Sequence, residues 1–511
     1  MVEGVVRPQP RAISLMVLGT ASHAGKSLVA TALCRILARR GARVAPFKAQ
    51  NMSLNSAATP DGLEIGRAQA LQAEAAGLAP RADMNPVLLK PMSQTGSQAI
   101  VNGRIFGTLH SRDFLGNGKR ALWPHIVAAY DRLAAEFDVL VIEGAGSPAE
   151  INLRESDIVN MAVADLADAR CLLVADIDRG GAFAAIAGTF ALLDEPDRRR
   201  IAGYAFNKFR GDASLLDAGI AMLDARVGVP CVGIIPYVDT TGLDEEDGVS
   251  IERRRERAWD ARHERLRIAV VAFPHLANFT DFDALEEEPS VDLIYTRDGG
   301  AVEAADVVIL PGTKDTIGDL GWLRERGLER ALVTCASRGA LTVGICGGMQ
   351  MLGASIDDPH GVERGGSHAG LALLDLRSTF AVEKTTVRVT GTTAAFGQSV
   401  AFDGYEIHVG VTQYGDASRP FAQISRAGGS CRDGVVSADG RVAGTYVHGL
   451  FAGDDARHAF VAWARALRGL PVARAFAPVQ AQRRARLDEL ADAVERALDL
   501  RMLLSRPVST P

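Results

Sequence analysis

Cys346 stands directly after an apolar, strand-like run and before two glycines, in the sequence TVGICGGMQ at residues 342–350. Glycines lack the β-carbon that would block a sharp strand-to-helix turn, so such a turn can expose the sulfur above a sheet. The amide of Gly347 would then point to the place where an oxyanion forms. His448 ends another strand-like run, GTYVHG at 444–449. A cysteine and a distant histidine predict a nucleophile and its base, although a buried structural cysteine is the competing explanation.

A glycine-containing loop near the amino terminus has the composition of a phosphate-binding site. Residues 19–27 read GTASHAGKS, and they lie between the apolar run 13–18 and a helical pattern at 28–39. Loop amides and a helix N-terminus can surround phosphate oxygens, a lysine adds a mobile positive charge, and a hydroxyl can ligate Mg²⁺. The first glycine lies one residue earlier than in the usual G-x-x-x-x-G-K-[ST] spacing. The loop is predicted to bind a nucleotide through Gly19, Thr20, Ser22, Gly25, Lys26 and Ser27.

Polar residues recur at the ends of later strand-like runs. Glu143 follows FDVLVI, Asp176 follows CLLVA, and Asn207 follows IAGYAF. In a parallel sheet such positions meet at the edge where a nucleotide binds, so Glu143 is the predicted second ligand for Mg²⁺ beside Ser27. Taken singly, each of these residues could equally cap a strand or form a surface turn. Their repetition favours a shared site.

Bulk properties exclude several classes of protein. A chain of 511 residues with 47% apolar and 23% charged residues is expected to fold around more than one core. Its net charge of −6 provides no basic footprint for nucleic acid. The sequence has no apolar run long enough to cross a bilayer and does not begin like a signal peptide, so we expect a cytoplasmic protein without a membrane partner. The six cysteines show no C-x-x-C spacing, which argues against a zinc ribbon or a disulfide framework.

Alternating strand-like runs and amphipathic helices predict an α/β fold in two domains, each built on a parallel sheet. The first domain is expected at 1–243 and the second at 266–475. A charge-dense stretch poor in apolar residues is predicted to be a surface linker at 244–265, with an interface helix as the alternative. A closing helix and tail are expected over 476–511. The apolar residues of this helix recur at helical spacing, at Leu487, Leu490, Ala491, Val494 and Leu498.

With both sites in view, the sequence resembles, nearly from end to end, the cobyric acid synthases, which are glutamine-dependent amidases of cobalamin biosynthesis. The segments that carry the resemblance are GTxSxxGKS at 19–27, PFKAQNM at 46–52, EIGRAQ at 64–69, NPVLLKP at 85–91, EGAGSPAE at 143–150 and DIDRGG at 176–181. The first domain is similar to the dethiobiotin synthetase group of P-loop enzymes, which share the extra loop residue. This resemblance implies a P-loop NTPase-type sheet that binds ATP, with Glu143 on Mg²⁺ and Asn207 reading adenine.

The second domain resembles the flavodoxin-like class I glutamine amidotransferase domains of the cobyrinate type. The resemblance implies that Cys346 is the nucleophile and His448 its base. The sequence LPGTKD at 310–315 matches the family's oxyanion segment, so the amide at Gly312 or at Thr313 would complete the oxyanion hole with that of Gly347. Many such domains carry His-x-Glu, but Gly449 and Leu450 follow His448 here. Glu406 is a candidate replacement for the missing third member.

The resemblance implies ATP- and glutamine-dependent amidation of the b, d, e and g carboxylates of adenosylcobyrinic acid a,c-diamide, which gives adenosylcobyric acid. The expected partners are small molecules, namely the corrinoid, glutamine and ATP, while homo-oligomerisation is left open. Corrinoid contacts are expected from residues 50–55, Arg67 and Gln94. The runner-up is a cobyrinic acid a,c-diamide synthase. An alternative from a different class of protein is a P-loop switch protein with a non-catalytic amidotransferase domain. The presence of both Cys346 and His448 argues against this alternative.

Overall fold

We describe the fold from a computed structural model. The part of the chain that it describes is residues 12–92, 96–110, 119–240, 242–243, 258–260, 264–416, 418–426, 429–473 and 476–504. Gln94 and most of the predicted linker lie outside these residues. The chain divides into two compact units, each with an α/β architecture, so the predicted fold class is confirmed. Unit 1 comprises Met1–Met52, Glu64–Leu243 and Arg484–Pro511, and unit 2 comprises Ser53–Leu63 and Asp244–Arg483.

The centre of unit 1 is a parallel sheet of six strands, whose residues are almost continuously apolar because helices cover both faces. From edge to edge the strands are Cys231–Pro236, Ile201–Phe209, Arg170–Asp176, Ile13–Gly19, Val139–Glu143 and Val44–Phe47. Ile13–Gly19 lies in the middle of this order, so the carboxyl ends of its two neighbours lie on either side of the phosphate loop that follows it. In open parallel sheets this edge is where ligands bind.

A second, smaller sheet belongs to unit 1. Its strands, in order, are Gln50–Met52, Val87–Pro91, Gly96–Val101 and Arg104–His110, and the unit also contains the short strand Glu64–Gly66. The α-helices are Lys26–Arg39, Arg67–Ala75, Lys119–Glu136, Met161–Ala167, Ala182–Leu192, Glu195–Arg200, Asp217–Val227 and Leu500–Leu504, with 3-10 turns at Ala82–Met84, Ile151–Ser156 and Ala213–Leu216. Within the described part of the chain, no helix combines the length and the apolar character that crossing a membrane requires.

The carboxyl-terminal helix Val479–Ala497 contributes to the core of unit 1 from Arg484 onward. The five apolar residues that the sequence predicts at helical spacing are all buried in the same cluster as residues of the central sheet, namely Leu487, Leu490, Ala491, Val494 and Leu498, the last of which directly follows the helix. Arg35 lies on the helix after the phosphate loop and pairs with Asp488 at 2.9 Å, and Arg40, which caps the end of that helix, pairs with Glu495 at 2.6 Å. The last turns of the chain are therefore part of the first unit's fold.

Unit 2 also has a central sheet of six strands, five of them parallel. In order they are Val291–Thr296, Leu266–Val271, Val307–Leu310, Leu341–Ile345, Val442–Thr445 and the antiparallel Val435–Val436. Leu341–Ile345 pairs with Val307–Leu310 on one side and with Val442–Thr445 on the other. The carboxyl ends of these three strands lead into the segments that contain Gly312, Cys346 and His448, and the register therefore brings the three predicted site segments to one edge.

A second sheet of unit 2 is mostly antiparallel. Its strands are Gly366–Ala369, Ser355–Asp358, Leu376–Thr393, Ala422–Arg426 and Gly429–Asp433, with Val400–Tyr414 paired along Leu376–Thr393. The helices of the unit are Asp283–Glu286, Gly299–Glu303, Thr316–Glu325, Leu328–Ser337, Gly347–Leu352 and Asp454–Leu467, with a 3-10 turn at Phe279–Phe282. The short strand Ser56–Ala58 also belongs to unit 2.

Candidate active sites

The phosphate loop of unit 1 begins at the carboxyl end of a central strand and ends at a helix N-terminus. The Thr20 N–H donates to the Val174 carbonyl at 3.0 Å, which fixes the start of the loop on the neighbouring strand. Thr20 is half-buried and Ser22 is exposed. Gly25 has a φ of +97°, and a β-carbon there would collide with the side-chain amide of Asn207. Glycine is therefore required at this turn.

Lys26 connects the loop with the segment that follows the strand Val139–Glu143. Its Nζ donates to the carbonyls of Ala21 and Gly146, each at 3.0 Å. Asn160 fixes the second segment, since its side chain accepts from the Ala145 N–H and donates to the Ala145 carbonyl. The ammonium group is thus held by two carbonyl oxygens that phosphate oxygens could replace as acceptors.

Glu143 lies at the centre of a buried polar cluster beside Ser27. Its Oε1 accepts from the Ser27 hydroxyl at 2.7 Å and from the Lys48 ammonium at 2.9 Å, and its Oε2 accepts from Gln72 at 2.7 Å. Burial alone would raise the pKa of Glu143, but the charge of Lys48 and these hydrogen bonds outweigh burial and lower it. The residue is therefore an ionised carboxylate next to a hydroxyl, and both are oxygen ligands of the type that Mg²⁺ prefers.

Asn207 reaches the phosphate loop, but its hydrogen bonds are to the protein. Its amide nitrogen donates to the Ala24 carbonyl at 2.9 Å, and its amide oxygen accepts from the Lys208 N–H at 2.9 Å. Lys208 donates to the His23 carbonyl at 2.8 Å and pairs with Asp176 at 2.7 Å. These contacts hold the phosphate loop at the carbonyls of His23 and Ala24. Recognition of adenine by Asn207 stays a prediction.

The residues expected to contact a corrinoid are divided between the two units. Asn51 is buried in unit 1, where its amide donates to Gln69 at 3.0 Å. Asn55 belongs to unit 2, and its side chain accepts from the Phe279 N–H at 3.2 Å. Arg67 is half-buried at the start of a helix of unit 1. Contact of these residues with a substrate stays a prediction.

Cys346 occupies a strained turn between the strand Leu341–Ile345 and the helix Gly347–Leu352. Its φ of 53° and ψ of −111° lie far from the usual conformations of a non-glycine residue. The Cys346 N–H donates to the Thr445 carbonyl at 2.8 Å, and its sulfur lies 3.6 Å from the Ile407 carbonyl oxygen. Cys346 is buried and not exposed, but such strain at a strand-to-helix turn is typical of a catalytic nucleophile.

His448 has a carboxylate partner that sequence reasoning missed. Its Nδ1 lies 2.6 Å from Oδ2 of Asp281, whose Oδ1 accepts from the Gly449 N–H at 2.9 Å. Burial alone would lower the pKa of His448, but the charge and the hydrogen bond of Asp281, with a smaller contribution from Cys346, raise it to about 10. The imidazole is therefore charged at neutral pH. An imidazolium beside a thiol is the arrangement that generates a nucleophilic thiolate.

The expectation that Glu406 replaces the missing third member is wrong. Glu406 is buried, but its Oε2 pairs with Arg426 at 2.9 Å and its Oε1 lies 3.8 Å from His408. Asp281 takes the position beside His448 instead, and it comes from the 3-10 turn Phe279–Phe282, far from His448 in sequence. The sequence signal for Asp281 is only that this turn contains an acidic residue. Asp283 follows it closely, and the sequence does not distinguish which of the two carboxylates contacts His448.

The two predicted oxyanion segments lie next to Cys346. A β-carbon on Gly312 would lie 3.0 Å from Cε1 of His448 and 3.8 Å from Cβ of Cys346, and one on Gly347 would lie 3.4 Å from the Thr313 nitrogen. The Gly312 carbonyl accepts from the Ala277 N–H at 2.9 Å, which holds this segment in place. The structure thus brings Cys346, His448, Gly312 and Gly347 together. Which of the amides at Gly312 and Thr313 joins that of Gly347 stays open.

Two further residues near Glu143 were not assigned a role from the sequence. Lys48 follows an edge strand and Gln72 lies on the helix Arg67–Ala75, and both contact the carboxylate of Glu143. Lys48 stands at a strand end like the predicted ligands, which is the signal that could have identified it. Gln72 lies in mid-helix, and its sequence position carries no such signal.

Comparison with protein families gives one match for each unit. The CobQ/CobB/MinD/ParA nucleotide binding domain matches residues 15–251, and the CobB/CobQ-like glutamine amidotransferase domain matches residues 267–456. The class defined by the fold and the sites is therefore a nucleotide-binding domain joined in one chain to a glutamine amidotransferase domain.

Curated relatives match over nearly the whole chain. A cobyric acid synthase of Sorangium cellulosum is 50% identical and covers 97% of this chain and 99% of its own length. A cobyric acid synthase of Moorella thermoacetica is 47% identical and covers 97% of this chain and 98% of its own length. One from Desulforudis audaxviator is 49% identical and covers 94% of this chain and 96% of its own length. The chain belongs to the cobyric acid synthase family, which is a family of glutamine-dependent amide ligases.

Proposed function

We propose that the protein catalyses the ATP- and glutamine-dependent amidation of the b, d, e and g carboxylates of adenosylcobyrinic acid a,c-diamide, which gives adenosylcobyric acid. The observation that carries the proposal is the similarity to a cobyric acid synthase at 50% identity over 97% of the chain. The phosphate loop and the Cys346–His448 pair provide the two activities that such a reaction needs. Cytoplasmic residence and any homo-oligomer remain predictions.

In the first half-reaction, the thiolate of Cys346 attacks the side-chain amide carbon of glutamine. The His448 imidazolium gives its proton to the leaving nitrogen, so that ammonia departs and a thioester remains. The neutral imidazole then takes a proton from water, which hydrolyses the thioester to glutamate. Asp281 stabilises the charged ring and fixes its orientation, because Nδ1 of His448 donates to it at 2.6 Å.

The tetrahedral intermediates of this half-reaction carry a negative oxygen. The Gly347 amide follows Cys346 directly, and the Gly312 or Thr313 amide comes from the neighbouring strand end. Two backbone donors fixed beside the sulfur would stabilise the oxyanion without reorganisation during the reaction.

In the second half-reaction, a corrinoid carboxylate attacks the γ-phosphate of ATP, so that the bond to the bridging oxygen breaks, ADP leaves and an acyl phosphate forms. Ammonia then attacks the acyl carbon, and phosphate leaves. Lys26 would exchange its carbonyl acceptors for phosphate oxygens, and the loop amides would hold the remaining phosphates. Ser27 and Glu143 would hold Mg²⁺, since the hydroxyl and the carboxylate lie 2.7 Å apart. The ion would supply neutralisation of the phosphate charge.

The sequence contains one phosphate loop and one nucleophile turn. Each amidation must therefore reuse the same two sites, and the corrinoid must rebind or reorient between rounds. One ATP and one glutamine would be consumed for each added amide.

The test is incubation of the purified protein with candidate corrinoids, ATP and glutamine, followed by time-resolved mass spectrometry. The proposal expects the a,c-diamide to gain four nitrogens one at a time, through partly amidated species. A product that stops after two amidations of cobyrinic acid itself would identify an a,c-diamide synthase. Absence of any glutamine hydrolysis would favour the switch protein.

A further inference from the structure

Residues 53–63 belong to unit 2, although the chain on both sides of them belongs to unit 1. Several polar residues of this segment are almost completely buried, with exposed fractions of 1% for Asn55 and 0% for Ser56 and Thr59. Polar groups buried to this extent need hydrogen-bond partners. The partners of Asn55 and Ser56 show which part of unit 2 the segment supports.

One set of partners lies in the loop that carries Asp281. The Asn55 side chain accepts from the Phe279 N–H at 3.2 Å, and the Ser56 N–H donates to the Asn278 side chain at 3.1 Å. Asn278 has a left-handed backbone, with φ 52° and ψ 41°, and its carbonyl accepts from the Asp281 N–H at 3.0 Å. Its amide nitrogen lies 3.5 Å from both ring nitrogens of His448. The segment therefore holds the loop that contacts the catalytic imidazole.

A second set of partners lies on the strand Val400–Tyr414. The Tyr405 hydroxyl donates to the Ser56 carbonyl at 3.4 Å, and Ala58 packs in a buried cluster with Tyr405 and Ile407. The Tyr405 ring stacks on that of His448, with centroids 5.4 Å apart, and the two residues exchange backbone hydrogen bonds. The segment thus contacts both elements that surround His448.

The ends of the segment are fixed by buried polar pairs of unit 1. Shortly before it, Lys48 pairs with Glu143 at 2.9 Å, and directly after it Glu64 pairs with Lys90 at 2.6 Å. Glu143 is the carboxylate expected to hold Mg²⁺ with the nucleotide, and a cation there would compete with the Lys48 ammonium. Ligand binding in the nucleotide site would therefore act on residues next to the start of the segment.

We propose that residues 53–63 position the loop and the strand that hold His448, and that occupancy of the nucleotide site changes the rate of glutamine hydrolysis through this segment. The inference rests on the proposed function. Asn55 and Ser56 are positioning residues, since they act on the imidazole through Asn278, Phe279 and Tyr405. The substrate-contacting groups themselves remain Cys346 and His448.

The test uses the full-length protein and the Asn55→Ala variant, with glutamine hydrolysis measured in the absence and in the presence of Mg-ATP. In the wild type, Mg-ATP should change kcat by about threefold or more. In Asn55→Ala, kcat without ATP should fall about tenfold with KM changed less than about threefold, and the response to ATP should disappear. Asn55→Asp keeps an acceptor oxygen for the Phe279 N–H and should restore part of kcat.

Thr393→Val is the matched control, because Thr393 of unit 2 is also 1% exposed and its side chain accepts a backbone N–H, that of Ala395. It should behave like the wild type. An Asn55→Ala variant with normal kcat and a normal ATP response would overturn the inference, and so would an equal loss in Thr393→Val. If Asn55→Ala does not fold, Tyr405→Phe gives the same decision, because it removes the hydroxyl that donates to the Ser56 carbonyl. An unchanged kcat and ATP response in this variant would refute the proposal.

Amidation driven by ammonium salts separates this inference from the proposed function. The wild type and Tyr405→Phe should amidate the a,c-diamide at similar rates with added ammonia, because that reaction does not use His448. Loss of ammonia-driven amidation in the wild type would count against the proposed function, whereas the glutamine hydrolysis assay alone decides the role of the segment.

Discussion

Replacing Asp281 with asparagine removes the charge that keeps His448 protonated. Asp281 outweighs burial and raises the pKa of His448 to about 10, from an ordinary value of 6.5. This difference corresponds to about 5 kcal/mol in favour of the imidazolium. In Asp281→Asn an amide N–H would face Nδ1, so the neutral ring would carry its proton on Nε2 and could not accept one from Cys346. Burial would then be unopposed, and the pKa of His448 should fall below its ordinary value.

The assay is the pH dependence of kcat/KM for glutamine hydrolysis. The wild type should stay active until pH rises to about 10, whereas in Asp281→Asn the alkaline limb should lie below about pH 7. At about pH 7.5 fewer than about one imidazole in ten would be charged, and with the loss of ring orientation kcat/KM should fall about 10²- to 10³-fold.

The comparison variant is Glu406→Gln, which neutralises a buried carboxylate paired with Arg426. A displaced alkaline limb in Glu406→Gln with a normal one in Asp281→Asn would refute the assignment. Unfolding in urea gives a second measurement. The stabilisation from the His448–Asp281 pair is fully present below about pH 6.5 and is lost as pH rises through about 10, so the stability difference between Asp281→Asn and the wild type should shrink over that interval.

Three further substitutions test the division of labour between the sites. Cys346→Ser should abolish glutamine-driven amidation but leave amidation with ammonium salts, because only the ammonia supply needs the thiolate; equal loss with both nitrogen sources would contradict this. Lys26→Ala should lose several kcal/mol of transition-state stabilisation, roughly 10³-fold in rate, with either nitrogen source, and near-normal ammonia-driven synthesis would exclude the phosphate loop as the chemical site. Glu143→Gln should raise the Mg²⁺ concentration needed for half-maximal amidation, and an unchanged Mg²⁺ titration would remove Glu143 from the metal site.

The strand ends around each predicted site could be found from the sequence because buried parallel strands read as continuous apolar runs. The run before Lys26 and the run before Cys346 both show this pattern, and both lie in the middle of their sheets. In a parallel sheet the residues after such runs meet at one edge, so Glu143 beside Ser27 and Gly312 beside Cys346 follow from topology.

Asp281 and residues 53–63 could not be predicted because they belong to connections without periodicity. Asp281 lies in a single 3-10 turn, where no repeat distinguishes a residue that faces the site from one that does not. Residues 53–63 contain only a three-residue strand, too short for a pattern that would assign it to unit 2. The sequence likewise does not show that Glu406, the candidate replacement for the third member, pairs with Arg426.

The carboxyl-terminal helix has a consequence for the order in which the protein can fold during synthesis. Leu487, Leu490 and Val494 complete the same core as Leu15 and Val17, which are synthesised before the second unit. The first unit therefore cannot bury its full core until all of the second unit has been synthesised. While the second unit is being synthesised, the nascent chain would expose the face of the helix Lys26–Arg39 that later packs against the helix Val479–Ala497. Synthesis of this helix, and not completion of residue 243, is therefore the event that completes the core of the nucleotide-binding unit.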